Sequence, residues 1–406
     1  MAQFDLPAPT NGHRLRILYA APGTPVPGTH GGSVHALELC RALSRRGHEV
    51  HLAAPVTGPA SARAQGSDTD LDGIFLHPLR RWLPARLLEW TAALPVRRLA
   101  AKLHPDVLVE RFYTFGGGAL WAAQSLRIPA VLEINSPARP YPGSWRDRLD
   151  QLTLLRPIDR WRRCQLRWAR GLYATSRHLL PPEVQEQACV VVNGVDIERF
   201  RPSLVPASDR PLHCVYVSSF RRWHGAEDLV AAASICAQQG VPLQISCIGR
   251  GPRWPAARRA AAAASLGGTI EFVGEVSHQT VPSYLAGADV GLAPFTPSAH
   301  RALELGWFWS PIKIFEYLAA GLGVVTADLE ELRELLPGGV ARFYPAGEPA
   351  ALAESLAVLA ADRAAVGRMG VAARSLAESR YTWDQQAVSV ERVLERVLRG
   401  CRPCSP

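Results

Sequence analysis

Lysine is nearly absent from this chain. Of its 45 basic residues only Lys102 and Lys313 are lysines, so arginine serves almost wherever a cation is needed. A compact ammonium therefore stands out at Lys313, because a planar, forked guanidinium fits poorly where a point charge must lie beside a small anionic group. Lys102 lies near Pro105 in a predicted surface turn and needs no such explanation.

The chain also lacks an apolar run long enough to span a bilayer, and its N-terminus lacks a charged start followed by an apolar core. We therefore expect a cytoplasmic protein. Its eight cysteines are scattered, apart from Cys401 and Cys404, so we expect them to be reduced and mostly buried. A single C-x-x-C pair is weak support for a metal, and no metal site is predicted.

A length of 406 residues exceeds what one hydrophobic core usually serves. We predict an N-terminal domain over residues 1–203 and a second domain over 204–380. A Pro-rich linker that ends near Pro211 joins them. Residues 381–406 are predicted to form a helix that crosses back to the first domain, followed by a tail.

Apolar, β-branched segments alternate with amphipathic ones along most of the chain. Such alternation, occurring twice, predicts an α/β protein of two doubly wound Rossmann-like domains facing one another across a cleft. The predicted strands are Arg16–Ala21, Glu49–Ala54, Asp106–Glu110, Ala130–Ile134, Gly171–Thr175, Cys189–Val192, Leu212–Ser218, Leu243–Ile248, Ile270–Gly274, Asp289–Pro294 and Gly323–Ala327. The predicted helices are Val34–Arg46, Gly116–Leu126, Ala226–Gln239, Pro255–Ser265, Gln279–Gly287, Pro311–Ala320, Pro349–Leu359, Arg363–Ser379 and Tyr381–Leu398.

The stretch Ser310–Gly321, S-P-I-K-I-F-E-Y-L-A-A-G, carries the strongest functional signal. Lys313 and Glu316 are three residues apart, so on a helix they project from one face and can address one small ligand. Pro311 suits the first turn and Gly321 the C-terminal cap. A solvated ion pair on an amphipathic helix is the alternative interpretation of this pair.

Two glycines, Gly31 and Gly32, precede the first predicted helix. Exposed amides at such a helix start favour an anion, because glycine lets a ligand approach the backbone and the helix dipole attracts negative charge. The full G-x-G-x-x-G pattern of dinucleotide sites is missing. A tight turn without a ligand remains an alternative.

Polar residues also follow two predicted strands of the first domain. Glu110, Glu133 and Asn135 stand at carboxyl ends of strands, where ligands gather in open parallel sheets. The alternative is that such carboxylates cap neighbouring helices, and for Glu110 this carries at least equal weight.

Arginine and tryptophan occur together in Arg156–Arg170 and again in Arg80-Arg81-Trp82 with Arg86. This mixture suits a surface that rests on anionic lipid headgroups. A solvated helix face is slightly favoured over it. Nucleic acid is not expected as a partner, because no known binding module surrounds these residues.

The order of these motifs resembles the retaining glycosyltransferases of family 4, which have the GT-B architecture, over nearly the whole chain. The resemblance lies in Gly31-Gly32 with G-H-E-V at 47–50, N-G-V-D at 193–196 with F-R-P at 200–202, I-G-R-G-P at 248–252, F-V-G at 272–274 with A-D-V at 288–290, and P-I-K-I-F-E-Y-L-A-A-G at 311–321. It implies that the second domain binds a sugar nucleotide, UDP- or GDP-linked, and that the first presents the acceptor. No metal or other cofactor is implied.

The resemblance also implies roles for particular residues. Glu316 would bind the ribose hydroxyls, and Lys313 would lie near the diphosphate together with the Gly31-Gly32 amides. The implied donor-binding set is Gly31, Gly32, Ser219, His224, Gly249, Gly251, Val276, Phe308, Ser310, Ile312 and Glu316. The implied catalytic set is Lys313, Arg221, Arg222, Glu133 and Asn135.

Three positions depart from the family pattern. Phe308 stands where the family commonly has a glutamate that contacts the donor sugar. Ser219 and His224 replace an Arg and a Lys for the diphosphate, so we expect Arg221 or Arg222 to substitute. Asn135 stands where many members carry a histidine.

The predicted function is transfer of a sugar from a nucleotide diphosphate sugar to a hydroxyl acceptor with retention. The arginine–tryptophan surfaces favour a lipid-linked or polysaccharide-precursor acceptor of the cell envelope, and an enzyme peripheral at the inner face of the membrane. Modification of a soluble metabolite is an equal alternative. One alternative is a nucleotide-sugar 2-epimerase, for which Glu110 and Glu133 would be candidate acid and base. Another is a catalytically inactive sugar-nucleotide-binding protein, because of Phe308 and Ser219.

Overall fold

The computed structural model describes residues 14–28, 31–56, 69–71, 73–79, 89–138, 140–153, 156–202, 210–301, 303, 306–307 and 310–400. Within them the chain divides into two compact units. The first comprises the described residues of Met1–Gly194, Phe308–Ser310 and Trp383–Pro406, and the second those of Val195–Trp307 and Pro311–Thr382.

The described strands and helices alternate along most of the chain. In chain order they are β1 (Arg16–Ala20), α1 (Gly31–Arg45), β2 (Glu49–Ala54), β3 (Thr69–Asp70), β4 (Ile74–Pro78), α2 (Ala93–Leu103), β5 (Val107–Arg111), α3 (Gly118–Leu126), β6 (Ala130–Ile134), α4 (Trp145–Leu152), α5 (Pro157–Trp168), β7 (Gly171–Ala174), β8 (Ala188–Val190), β9 (Leu212–Val217), α6 (Ala226–Gln238), β10 (Leu243–Ile248), α7 (Trp254–Ala263), β11 (Ile270–Gly274), α8 (Val281–Ala286), β12 (Val290–Ala293), α9 (Ile312–Ala319), β13 (Gly323–Ala327), α10 (Glu330–Leu335), β14 (Ala341–Tyr344), α11 (Pro349–Ala361), α12 (Arg363–Arg380) and α13 (Trp383–Leu398).

The sheet of the first unit has the order β3-β4-β2-β1-β5-β6-β7-β8, and all of its neighbours are parallel except β3 and β4. Its central strands are buried on both faces, as strands covered by helices should be. The strand order changes direction at β1 and β5, and an open α/β sheet binds its ligands at such a switch point.

The last helix, α13, packs in the first unit against α1. Trp383, Val390 and Leu394 belong to the same hydrophobic core as β1 and β2. A polar contact fixes the helix further. Arg46 Nε lies 2.6 Å and His48 Nε2 3.0 Å from the buried Glu391 carboxylate of α13.

The second sheet has the order β11-β10-β9-β12-β13-β14 and is parallel throughout. Its switch point lies between β9 and β12. Helix α9 follows β12 in the chain and leads into β13, and it packs on both strands.

The predicted α/β class with two doubly wound sheets is confirmed. Helix α1 begins at Gly31, three residues before the predicted start, so the glycines form its first turn. Strands β3, β4 and β14 and helices α2, α4 and α10 were not predicted, and all of them except α2 are no longer than eight residues. Helix α5 lies in the stretch Arg156–Arg170, for which a solvated helix face was the favoured interpretation. Phe308, Cys401, Cys404 and the Arg80-Arg81-Trp82-Arg86 segment lie outside the described residues.

Candidate active site

Lys313 lies in the first turn of α9, beside the switch point of the second sheet. Its ammonium is 4.7 Å from the ring centre of Phe295, just after β12, and 5.3 Å from that of Tyr216 on β9. The nitrogen is shielded from solvent and has no hydrogen-bond partner in the described part of the chain. Burial lowers the pKa of Lys313 to about 7. An unpaired cation held by two aromatic faces is ready to meet an anionic ligand.

Glu316 lies one turn further along α9 and is only 5% exposed. His278, in the loop after β11, contacts one oxygen of this carboxylate through its Nε2 at 2.8 Å. The two side chains of α9 therefore reach different strand ends, since Lys313 contacts groups at β9 and β12 and Glu316 a group beyond β11. Such a spread suits a ligand that carries both an anionic group, for Lys313, and hydroxyl groups, for Glu316.

The loop after β10 comes close to the backbone that follows β9. Gly249 has a φ of +107°, and a Cβ there would overlap the carbonyl oxygen of Ser218. A Cβ at Gly251 would overlap the carbonyl oxygen of Ser219. Only glycine fits at these two positions, so the loop brings exposed backbone to the carboxyl ends of both strands. Val276 follows β11 and is half-buried.

Arg221 and Arg222, just beyond Ser219, are both exposed and make no ion pair among the residues described here. The neighbouring His224 has its Nδ1 2.9 Å from Ser218 Oγ. Burial, followed by the charges of Lys313 and Arg221, lowers the pKa of His224 to about 2. His224 is thus a neutral imidazole, and the free cations of this loop are the two arginines.

The first unit places Gly31 and Gly32 at the start of α1, beside its own switch point. Arg111, the last residue of β5, reaches this helix start. A Cβ added to Gly32 would lie 3.4 Å from an outer nitrogen of the Arg111 guanidinium. Sequence reasoning missed Arg111, although a charged residue at the end of a central strand was a usable signal.

Glu133, at the end of β6, is completely buried. Its carboxylate accepts hydrogen bonds from Tyr19, Tyr173 (2.7 Å), Arg111 (3.0 Å) and Asn135. The Nε2 of His35 on α1 lies 2.6 Å away. Burial alone would raise the pKa of Glu133, but His35 and Arg111 lower it far below its ordinary value. Its acceptor capacity of about four lone-pair sites is therefore filled by protein groups.

The other carboxylate at a strand end behaves differently. Glu110 is also completely buried and accepts hydrogen bonds from the backbone N–H groups of Gly117 and Leu120, both at 2.7 Å. Burial raises the pKa of Glu110 to about 7 despite these bonds. The side chain caps the start of α3, which is the alternative that the sequence left open.

The remaining donor-binding candidates lie near the start of α9. Ser310 Oγ accepts a hydrogen bond from the backbone N–H of Asn193, and the Asn193 side chain donates to the Ser310 carbonyl at 3.1 Å. Ile312 is the first residue of α9 and is half-buried. The first residue of the N-G-V-D motif is thus hydrogen-bonded to Ser310 within the first unit. Two further residues had no signal in the sequence. They are His278, which contacts Glu316, and His35, which contacts Glu133.

Solved structures show which class of fold this is. A glycosyltransferase from Rickettsia africae superposes with a TM-score of 0.70 at 14% identity, covering 95% of this chain and 99% of that one. HepE of Anabaena, solved with UDP-glucose, superposes with a TM-score of 0.68 at 16% identity over 95% of this chain and all of its own. At such identities the likeness shows the fold alone, which is that of the GT-B glycosyltransferases.

Family models identify the chain further. Residues 29–199 match Glycosyltransferase Family 4, and residues 211–362 match Glycosyl transferases group 1. The chain belongs to glycosyltransferase family 4. The predicted resemblance is thereby confirmed.

Curated relatives agree with this family. The amylovoran biosynthesis glycosyltransferase AmsK of Erwinia amylovora is 27% identical over 52% of this chain and 51% of its own length. A phosphatidyl-myo-inositol mannosyltransferase of Mycobacterium tuberculosis is 30% identical over 52% of this chain and 54% of its own. The chain spans about half the length of these relatives. Their names give the epimerase alternative no support.

Proposed function

We propose that this protein transfers a sugar from a nucleotide diphosphate sugar to a hydroxyl acceptor, with retention at the anomeric carbon. The observation that carries the proposal is the buried, unpaired ammonium of Lys313, one helical turn from the buried carboxylate of Glu316. An ammonium without a counter-ion suits a diphosphate, and a carboxylate can accept two hydrogen bonds from a vicinal diol such as that of ribose.

The diphosphate is the leaving group of this reaction, so negative charge grows on it as the sugar departs. Cations and amides that are already in place stabilise that charge without reorganising. Lys313, Arg221 or Arg222, and the amides of Gly31 and Gly32 would supply this stabilisation. The acceptor hydroxyl attacks from the same face, through a transition state with oxocarbenium-ion character.

The proposed donor is a UDP- or GDP-sugar, and the proposed chemistry needs no metal ion because protein groups supply the positive charge. The presence of UDP in solved HepE structures supports the choice of UDP. A thermal shift screen of nucleotides and their sugars tests the donor, since a true ligand stabilises the folded state by mass action. No shift with any nucleotide would contradict the proposal, and turnover that EDTA abolishes would contradict its metal independence.

The role of the two loop arginines has a separate test. Replacing both Arg221 and Arg222 by glutamine should weaken donor binding in calorimetry, because these two residues are the exposed cations of the described loop between β9 and α6. Unchanged donor affinity in the double variant would refute their part in the site. Lys102 is exposed and lies at the end of α2, so Lys102→Gln serves as a control for the loss of a surface charge elsewhere.

The bonding of the two buried glutamates weighs against a 2-epimerase. Glu133 is saturated by protein donors and Glu110 caps a helix, so neither is disposed to exchange a proton with a sugar. An assay with labelled sugar nucleotide and no acceptor distinguishes the reactions, because only an epimerase changes the sugar under those conditions. Donor binding without turnover on any acceptor mixture would favour the inactive binding protein.

The proposed acceptor is lipid-linked and belongs to the cell envelope, which places the enzyme at an anionic membrane surface. None of the described helices is long and apolar enough to cross a membrane. Helix α4, however, exposes Trp145 (51%), Leu149 (40%) and Leu152 (84%) along one side. The tryptophans of α5 instead pack in an aromatic cluster, with Trp161 4.9 Å from Trp90. The apolar stripe of α4 and the exposed arginines of α5 together suit anionic lipid.

Vesicle binding tests this surface. We expect vesicles with anionic lipid to retain the protein at low salt and to release it as salt screens the arginines. Replacing Trp145, Leu149 and Leu152 by serine should abolish retention. The control is Val371→Ser, because Val371 is likewise an exposed apolar residue (74%) but lies on α12. No retention of the unmodified protein at low salt would end the membrane proposal.

A further inference from the structure

Glu133 is too deeply buried to contact a substrate, yet five polar side chains of the protein contact its carboxylate. A buried carboxylate is costly unless it is fully hydrogen-bonded, and here its partners come from β1, α1, β5, β7 and the loop after β6. Burial, ahead of the Glu133 charge, raises the pKa values of Tyr19 and Tyr173 well above normal. Both phenols therefore remain neutral O–H donors, and the Arg111 guanidinium supplies positive charge next to Glu133.

Of the partners of Glu133, Arg111 is the one that also reaches the first turn of α1. One outer nitrogen of its guanidinium donates to Glu133, and another is the atom nearest to the position that a Cβ on Gly32 would take. The side chain is 12% exposed, and the proximity of Glu133 raises its pKa, against burial, above the normal range. A guanidinium is a rigid fork, so fixing one edge of it fixes the direction of the other.

We propose that Glu133 is a positioning residue that aims Arg111 at the first turn of α1, where Arg111 contacts the diphosphate of the donor. The proposal rests on the proposed function and gives the first unit a side-chain cation of its own, one that neither the family resemblance nor the motifs had singled out. Arg111 complements the Gly31 and Gly32 amides, which carry only partial charge. His35 joins α1 to the same carboxylate, so the helix start and the guanidinium keep one geometry.

Nucleotide affinity tests the contact directly. We measure the Kd of UDP and of GDP by calorimetry for the unmodified chain, Arg111→Met and Arg111→Lys. Arg111→Met should weaken binding of the preferred nucleotide about 10- to 100-fold, as expected for a lost charge-assisted hydrogen bond. Arg111→Lys should recover part of that loss, since it keeps the charge without the fork.

A double-mutant cycle tests whether Glu133 acts through Arg111. Glu133→Gln should weaken nucleotide binding in the unmodified chain but add little in the Arg111→Met background. Glu110→Gln is the matched control, because Glu110 is equally buried at the neighbouring strand end but bonds only to backbone groups. It should change stability without changing nucleotide affinity.

The outcomes separate this inference from the proposed function. If the unmodified chain binds neither UDP nor GDP, the proposed function fails and this inference fails with it. If it binds one of them and Arg111→Met binds equally well, only the role of Arg111 is overturned. A rise in acceptor KM with unchanged nucleotide Kd would also overturn the role proposed here, because Arg111 would then serve the acceptor.

Discussion

The two units each place a cation at the switch point of their sheet, but the two cations are held in opposite ways. Arg111 in the first unit is bound to a buried carboxylate, and that partner raises its pKa. Lys313 in the second unit has aromatic rings around it and no counter-ion, and burial lowers its pKa to about 7.

This difference separates two uses of positive charge. A guanidinium tied to a carboxylate is always charged and fixed in direction, and much of its field is cancelled by its partner. An unpaired ammonium keeps its full field for a ligand, but the folded protein must bear the cost of its desolvation. Lysine suits the second use because its charge can be lost when no ligand is present.

Stability measurements should give the largest contrast. Glu133→Ala should lower the free energy of unfolding by about 3–5 kcal/mol, because it leaves Arg111 buried without its partner. Lys313→Met should raise that free energy by about 1–2 kcal/mol below pH 7, because the ammonium is desolvated without compensation. Denaturant titration of both variants measures the two effects. Destabilisation by Lys313→Met would remove the contrast between the two cations.

Turnover should depend strongly on Lys313. Lys313→Ala should lower kcat about 10²- to 10³-fold, as expected when one fixed group that stabilises developing charge is removed. Steady-state kinetics with the donor found in the thermal shift screen measures this effect. Lys102→Ala, at the only other lysine, is the control and should leave kcat unchanged. An active Lys313→Ala variant would contradict the leaving-group role.

Donor affinity should fall as the pH rises above 7. The free protein holds Lys313 with a pKa of about 7, so at pH 6 the ammonium is mostly present and at pH 9 it is mostly absent. A bound diphosphate raises the pKa of Lys313, so binding takes up a proton at pH 8. Donor affinity should therefore drop about tenfold per pH unit above 7, until the pH reaches the pKa of Lys313 in the bound state. Calorimetry in buffers of different ionisation enthalpy measures the uptake. Arg111 stays protonated over this pH range, and so would an arginine at position 313. Proton uptake by the Lys313→Arg variant equal to that of the unmodified chain would therefore show that another group takes up the proton.

The smallest effects should come from the exposed arginines of the loop after β9. Arg221 acts electrostatically on His224, beside Lys313, whereas no such influence of Arg222 is found on that imidazole. We therefore expect Arg221→Gln to weaken donor binding about threefold to tenfold and Arg222→Gln by less, because solvent screens exposed charges. Titrations of both single variants at low and high salt decide their order. A larger loss with Arg222→Gln would reverse this assignment.

The sequence predicted the helices and strands in which apolar residues recur at a regular spacing, and the site residues that lie in one continuous motif. Lys313 and Glu316 were found because a helix places residues three apart on one face, and both are indeed in α9. The start of α1 was placed three residues late, because glycine is a poor helix former and its place in the first turn follows from the tertiary structure.

What the sequence did not disclose are contacts between distant segments. Arg111 and Glu133 are 22 residues apart, and His278 is 38 residues from Glu316. No local pattern signals such pairs. The tryptophans of Arg156–Arg170 were interpreted by composition, whereas their packing on Trp90 depends on how two segments distant in the chain are arranged. Composition predicts what a segment can contact, and only topology decides what it does contact.

The position of α13 has a consequence for synthesis of the protein. Its tryptophan, valines and leucine complete a core whose other members lie between Ile17 and Val191, far earlier in the chain. A ribosome must therefore release nearly the whole polypeptide before the first unit can close its core, whereas the second unit has all of its strands by then. During translation the later unit can reach its native state first, whereas the apolar surfaces of the first unit that α13 covers stay exposed until the final helix emerges.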